Sequence, residues 1–99
     1  MPTIRFPVDD VPEGEGRVVG GLDREFAVFK LKGRLYAMDN ACGHRGGPLG
    51  EGLVEDGVVI CPWHGWEFEI ATGRSLVMPD MAQATFPVEV LGPEAEIRY

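Results

Sequence analysis

Three observations predict an all-β domain. The 99 residues include 14 Gly and 8 Pro, which leave few uninterrupted stretches that are long enough for a helix. The segments between these breakers are short and rich in Val, Ile, Phe and Leu, and turn signals separate them at regular intervals. Many short strands divided in this way are typical of an antiparallel β sandwich or a small barrel.

The N-terminal half is predicted to contain four strands. Residues 3–8 form the first, residues 9–16 an acidic loop, and residues 17–22 the second. The clearest element is a hairpin, in which Glu25–Leu31 and Arg34–Asp39 flank the turn Lys32-Gly33. Alternate residues of a strand share a face, so the first hairpin strand presents two sets: Ala27, Phe29 and Leu31, and Phe26 and Val28.

The C-terminal half is predicted to continue in the same way. Residues 58–61 and 66–70 form two strands, and residues 71–74 form a turn. Residues 85–91 and 94–99 flank Gly92-Pro93 and predict a closing hairpin. A helix is least excluded at residues 80–84, where we expect a short turn at most.

Length and charge restrict the class of protein. A chain of 99 residues corresponds to a single domain, residues 1–99. The formal net charge of −7 argues against binding to nucleic acid, which depends on neutralising phosphates. No apolar run approaches the roughly 20 residues that cross a membrane. We therefore expect a soluble, cytoplasmic protein with no membrane partner, in a compartment that keeps thiols reduced.

The cysteines and histidines form two short groups. The chain has two of each: Cys42 and His44 stand one residue apart, and Cys61 and His64 two residues apart. Sixteen residues separate the groups, and each group follows a predicted strand in a loop rich in Gly and Pro. Two such loops that emerge side by side would bring four metal ligands together at one end of the β scaffold.

Two kinds of metal centre suit two thiolates and two imidazoles. These are a tetrahedral zinc site and an iron–sulfur cluster. Zinc fingers and ribbons usually pair Cys with Cys and His with His, whereas each loop here supplies one of each. The short spacing of Cys42 and His44 also favours ligands that are divided between two irons. A zinc-stabilised interaction module remains the alternative.

The two groups and their neighbours resemble a known family. Residues 42–49 (CGHRGGPL) and 61–68 (CPWHGWEF) are similar to the two cluster-binding boxes of Rieske proteins, and the spacer between them matches. The resemblance is close over residues 40–73. It implies the Rieske fold, an antiparallel β sandwich with a small cluster-binding subdomain, at about residues 40–80, that two loops form.

The resemblance also implies a ligand set for a Rieske-type 2Fe-2S cluster. Cys42 and Cys61 would bind one iron, and His44 and His64 would bind the outer iron through their delta nitrogens. In this family a third loop covers the cluster, and Met78-Pro79-Asp80 is its counterpart here. No residue of the chain is expected to be catalytic.

The ligands predict the redox behaviour. Replacing two thiolates by neutral imidazoles changes the formal charge of an oxidised cluster from about −2 to about 0, so an electron enters more readily. High-potential Rieske proteins add a disulfide and Ser and Tyr hydroxyls near the cluster. This chain has no further Cys, and Trp66 and Phe68 stand at the positions of those hydroxyl residues. It therefore resembles the low-potential, ferredoxin branch.

The function implied is one-electron transfer. The family includes ferredoxins that carry electrons from a flavin-dependent reductase to a terminal oxygenase, such as a ring-hydroxylating dioxygenase. With both His assigned to the cluster, the chain lacks the 2-His-1-carboxylate iron site that an oxygenase needs, so we expect a carrier and not an enzyme. A second possibility is the Rieske-type small subunit of an NAD(P)H nitrite reductase.

Overall fold

Antiparallel strands build the structure. The computed structural model describes residues 2–20, 24–41, 47–63, 65–78 and 80–99. Within these ranges the helical elements are two 3₁₀ helices of three residues each, Val8–Asp10 and Leu49–Glu51, which confirms the all-β class. The strands are β1 (Thr3–Pro7), β2 (Gly16–Gly20), β3 (Glu25–Leu31), β4 (Arg34–Asp39), β5 (Leu53–Glu55), β6 (Val58–Ile60), β7 (Glu67–Glu69), β8 (Thr85–Phe86), β9 (Val88–Leu91) and β10 (Glu94–Arg98).

The described strands form three sheets. Their orders are β1-β10-β9, β2-β3-β4-β8 and β5-β6-β7, and the pairings are antiparallel. The β2-β3-β4-β8 sheet is buried on both faces. On one face Ala27 and Phe29 pack with Phe68, and on the other Phe26 and Val28 pack with Ile97. The two predicted faces of the first hairpin strand are therefore confirmed, and each belongs to a separate core.

The predicted hairpin is also confirmed. Strands β3 and β4 pair up to Leu31 opposite Arg34. Lys32 and Gly33 both have positive φ, 52° and 77°, as a two-residue type I′ turn requires. The carboxylate of Glu13 accepts hydrogen bonds from both turn N–H groups, at 2.5 and 2.7 Å, and this fixes the acidic loop on the hairpin.

Two predictions about strands were incomplete. The strand predicted over residues 85–91 is divided, because β8 pairs with β4 whereas β9 pairs with β10 in another sheet. Pro87 stands between them and has no N–H to continue a ladder. Strand β5 was not predicted; it is short, lies at a sheet edge and pairs with β6.

Other boundaries differ by a few residues. Strand β1 ends at Pro7, where a 3₁₀ helix begins, and β2 is described as far as Gly20, since residues 21–23 lie outside the described ranges. Residues 80–84 form no helix, as expected; Ala82 pairs with Arg74 in an isolated bridge. In the described ranges no helix is long and apolar enough to cross a membrane.

Candidate metal centre

The first loop leaves the end of β4 and returns to the same point. Ala41 and Pro48 form an antiparallel bridge across its base. Next to the bridge, the carbonyl of Asn40 accepts a hydrogen bond from the N–H of Leu49 (2.8 Å), and its side-chain Oδ1 accepts one from the N–H of Gly50 (2.8 Å). One residue thus closes the loop with both its main chain and its side chain.

The second loop begins at the end of β6. The N–H of Cys61 donates to the carbonyl of Trp66 (2.7 Å), and the N–H of Gly65 donates to the carbonyl of Cys61 (3.1 Å). These bonds bring Cys61 close to Gly65 and Trp66, so the two ends of the second loop meet. Cys61 is buried, with 3% exposed, whereas Trp63 is 51% exposed. The thiol of Cys61 therefore lies in the interior, whereas part of the Trp63 side chain in the same loop faces solvent.

The described ends of the two loops are in contact. A Cβ placed on Gly47 would lie 2.8 Å from Sγ of Cys61 and 3.0 Å from Cγ of Trp63. Real Cβ atoms do not approach so closely, so only glycine fits where the first loop passes the cysteine. The expectation that the two loops emerge side by side is met at these residues. A buried thiol in a glycine-lined contact between two loops fits the thiolate chemistry of an iron–sulfur cluster.

The structure describes one of the four predicted ligands. Cys61 has the position given above, whereas Cys42, His44 and His64 lie outside the described residues. Among the described residues no group of three His, Cys, Asp or Glu side chains could hold a metal ion. The four-residue ligand set and the bounds of the subdomain at about residues 40–80 therefore stay predictions.

A third segment, residues 75–78, is attached beside β7. Ser75 pairs with Phe68, and the N–H of Leu76 donates to the carbonyl of Glu67 (2.9 Å). The buried Oγ of Ser75 accepts hydrogen bonds from the N–H groups of Val77 (3.1 Å) and Met78 (3.0 Å). The segment leads into the predicted covering loop Met78-Pro79-Asp80, of which Pro79 lies outside the described residues. The segment presents three half-exposed apolar side chains: Leu76, Val77 and Met78.

Sequence reasoning assigned no role to two buried amides near the loops. Asn40 is 4% exposed and Gln83 is 6% exposed. Nε2 of Gln83 donates to the carbonyls of Asp39 (3.0 Å) and Ala41 (2.9 Å). Asn40 and Gln83 are the only Asn and Gln in the chain, and Asn40 stands two residues before Cys42. That proximity was the one available signal, and it did not reveal what either side chain bonds to.

Comparison with known proteins identifies the class. The Rieske [2Fe-2S] domain family matches residues 2–90. The chain belongs to this family, and its cofactor is the Rieske-type 2Fe-2S cluster that the sequence predicted.

The relatives narrow the class to ferredoxins. The ferredoxin component of a naphthalene 1,2-dioxygenase/salicylate 5-hydroxylase system from Ralstonia is 33% identical over 84% of this chain and 81% of its own length. A ferredoxin from Sphingomonas yanoikuyae B1 has a TM-score of 0.88 and 29% identity, covering 99% of both chains. A chain in the complex of oxygenase and ferredoxin of carbazole 1,9a-dioxygenase has a TM-score of 0.87 and 26% identity, covering 96% of this chain and 91% of that chain.

These names support the predicted role. The Ralstonia relative is named as the ferredoxin component of its oxygenase system, which is the electron carrier and not the catalyst, and the Sphingomonas structure is named as a ferredoxin. The prediction of a Rieske ferredoxin that carries electrons, rather than a catalytic enzyme, is confirmed at the level of class, whereas the low reduction potential stays a prediction.

Proposed function

We propose that the chain is a cytoplasmic carrier that takes one electron from a flavin-dependent reductase and passes it to a terminal oxygenase. The observation that supports this most directly is the contact between the two boxes, where Gly47 of the first box lies against the buried Sγ of Cys61 in the second. Relatives more than 30% identical to this chain are named as ferredoxin components of oxygenase systems.

The ligands proposed for the cluster are Cys42 and Cys61 on one iron and His44 and His64 on the other. When bound, such a cluster supplies a one-electron couple. The burial of Cys61 keeps water from its thiolate, and the hydrogen bond from its N–H to Trp66 fixes its main chain. The bonds of Asn40 to Leu49 and Gly50 close the loop that carries Cys42 and His44.

We further propose that the terminal oxygenase docks on the third segment. Leu76, Val77 and Met78 are each about half exposed, at 49%, 47% and 48%. Ser75 fixes this segment through two hydrogen bonds, and Leu76 is bonded to β7, the strand that follows the second box. A fixed apolar surface loses little conformational entropy when a partner covers it.

The first experiment tests the metal centre. Protein purified without oxygen is analysed for iron, acid-labile sulfide and zinc, and its reduced form is examined by electron paramagnetic resonance. Two irons and two sulfides per chain with a Rieske spectrum support the proposal. One zinc without sulfide would show the zinc-stabilised interaction module instead.

The second experiment tests the direction of electron flow. The reduced protein is mixed with a ring-hydroxylating oxygenase, and the oxidised protein with a flavin reductase and NADH, and the absorbance of the cluster is followed. Reduction by the reductase and reoxidation by the oxygenase are expected. Isolation of the native protein in a stable complex with a nitrite reductase would replace the carrier proposal by the small-subunit alternative.

A further inference from the structure

The side chain of Gln83 extends the contact between β4 and β8. These strands pair at Ala37 with Phe86 and at Met38 with Thr85, and the N–H of Asp39 donates to the carbonyl of Ala84. At the next step the main-chain ladder stops, because the N–H of Gln83 donates instead to the carbonyl of Gly73 (2.7 Å).

The amide of Gln83 provides the bonds that the main chain no longer supplies. Its Nε2 donates to the carbonyls of Asp39 and Ala41, at 3.0 and 2.9 Å. A primary amide has two N–H donors, so each carbonyl can receive one. The side chain therefore binds two alternate residues, Asp39 and Ala41, in the segment that leads directly into Cys42.

The main chain of Gln83 is itself fixed from the other side. Gly73 has a φ of +79°, and a Cβ there would overlap the carbonyl oxygen of Gln83 and lie 2.9 Å from Cγ2 of Thr85. Two residues further on, the N–H of Ser75 donates to the carbonyl of Met81 (3.0 Å). Gln83 thus stands at the base of the third segment and contacts the base of the first loop.

We propose that Gln83 is a positioning residue for the cluster. It fixes the carbonyls of Asp39 and Ala41, and so sets the place of Cys42 relative to the third segment. The inference rests on the proposed function only for the assignment of Cys42 as a ligand. Without the amide of Gln83, the carbonyls of Asp39 and Ala41 would lose these hydrogen bonds. Of the two buried amide side chains, only that of Asn40 would still bind the base of the first loop.

The test compares two variants of the holoprotein. Gln83→Met keeps a side chain of similar length and removes both donors. Ile97→Val is the control, since Ile97 lies fully buried in the other core, and its denaturation midpoint serves to correct for a general loss of stability. The readouts are the resonance g-values, the visible circular dichroism, the reduction potential and the rate of iron release to a chelator.

We expect Gln83→Met to shift the g-values and the dichroism and to release iron about tenfold faster than its loss of stability accounts for, which corresponds to about 1.4 kcal/mol. Ile97→Val should keep the wild-type spectra. If Gln83→Met does not assemble a cluster, Gln83→Asn, which keeps the amide on a shorter side chain, is measured with the same readouts.

Two results would overturn the inference in different ways. Wild-type spectra and wild-type release rates in the Gln83 variants show that the amide has no positioning role, while a Rieske spectrum of the wild type leaves the proposed function intact. A wild-type protein without a Rieske spectrum overturns the proposed function and this inference together.

Discussion

Gly47 lies against the sulfur of Cys61. The hypothetical Cβ of residue 47 would be 2.8 Å from Sγ, so the hydrogen side chain of glycine is what allows the two boxes to meet. This contact joins residues from different loops, fourteen positions apart in the sequence. We expect assembly of the cluster to depend on this contact.

The variant Gly47→Ala is therefore expected to lose most of its cluster. The added methyl group would displace Cys61 or the ring of Trp63 from its present place. Iron and acid-labile sulfide per chain are the measurement. Gly20→Ala is the matched control, because a Cβ at Gly20 meets nothing within 4 Å, and it should keep a full cluster. Equal iron content in the two variants would contradict the prediction.

The reduction potential is expected near the low end of the Rieske range, which runs from roughly −150 to +300 mV. Trp66 and Phe68 lack the hydroxyl groups found at these positions in high-potential members, and hydrogen bonds to the cluster raise its potential. A potential above about +100 mV, measured by redox titration, would contradict this reasoning.

Phe68→Tyr tests the same idea from the other direction. It places a hydroxyl at a position where high-potential members carry one, in the core that contains Cys61, and we expect the potential to rise. Phe29→Tyr adds the same group to an equally buried ring of that core and should leave the potential unchanged. The hypothesis fails if both variants shift the potential alike.

His64→Cys is expected to lower the potential. A thiolate in place of a neutral imidazole makes the cluster more negative by one charge, and reduction becomes less favourable. Redox titration of the variant checks the sign. Because His64 lies outside the described residues, this variant is also the direct test of its assignment: an unchanged potential would exclude it as an iron ligand.

Val77→Asp is expected to weaken binding to the oxygenase and to leave the potential and the spectra unchanged. A carboxylate on the third segment would have to be desolvated when the partner covers it. Val90→Asp places the same charge on β9, where Val90 is 56% exposed in a different sheet, and should bind normally. Affinity measured by calorimetry for both variants decides the matter, and equal weakening would exclude a specific docking role.

Lys32→Asn is expected to stabilise the domain by about 0.5 kcal/mol. Lys32 adopts a φ of 52°, which costs most residues energy and costs Asn less. Its main-chain hydrogen bond to Glu13 does not depend on the side chain and should persist. Chemical denaturation of the holoprotein measures the change, and a lower denaturation midpoint would contradict the explanation.

The sequence predicted those features that local patterns determine. The hairpin of β3 and β4 was correct to the residue, because the alternation of apolar residues and the turn at Lys32-Gly33 agree. The division of the strand at Pro87 was missed, since the residues on both sides are good strand formers. What separates them is pairing with different sheets, and this depends on residues far along the chain.

The site shows the same limit. The four ligand residues and their spacing favoured an iron–sulfur cluster over zinc, and the resemblance of residues 42–49 and 61–68 to the Rieske boxes gave the type of centre. The contacts of Gly47 with Cys61 and of Gln83 with Asp39 and Ala41 were not predictable, since they join segments that only the fold brings together. The sequence contained the residues but no indication of which carbonyl an amide would reach.

The separate cores on the two faces of the β2-β3-β4-β8 sheet predict how the apoprotein behaves before the cluster is inserted. Cys61 packs in one core, and Phe6 and Ile97 pack in the other, with the sheet between them. The apoprotein should therefore keep the core that contains Phe6 and Ile97 ordered, while the core that contains Cys61 remains adaptable. Such an apoprotein would resist aggregation and could still accept a cluster that is inserted after translation.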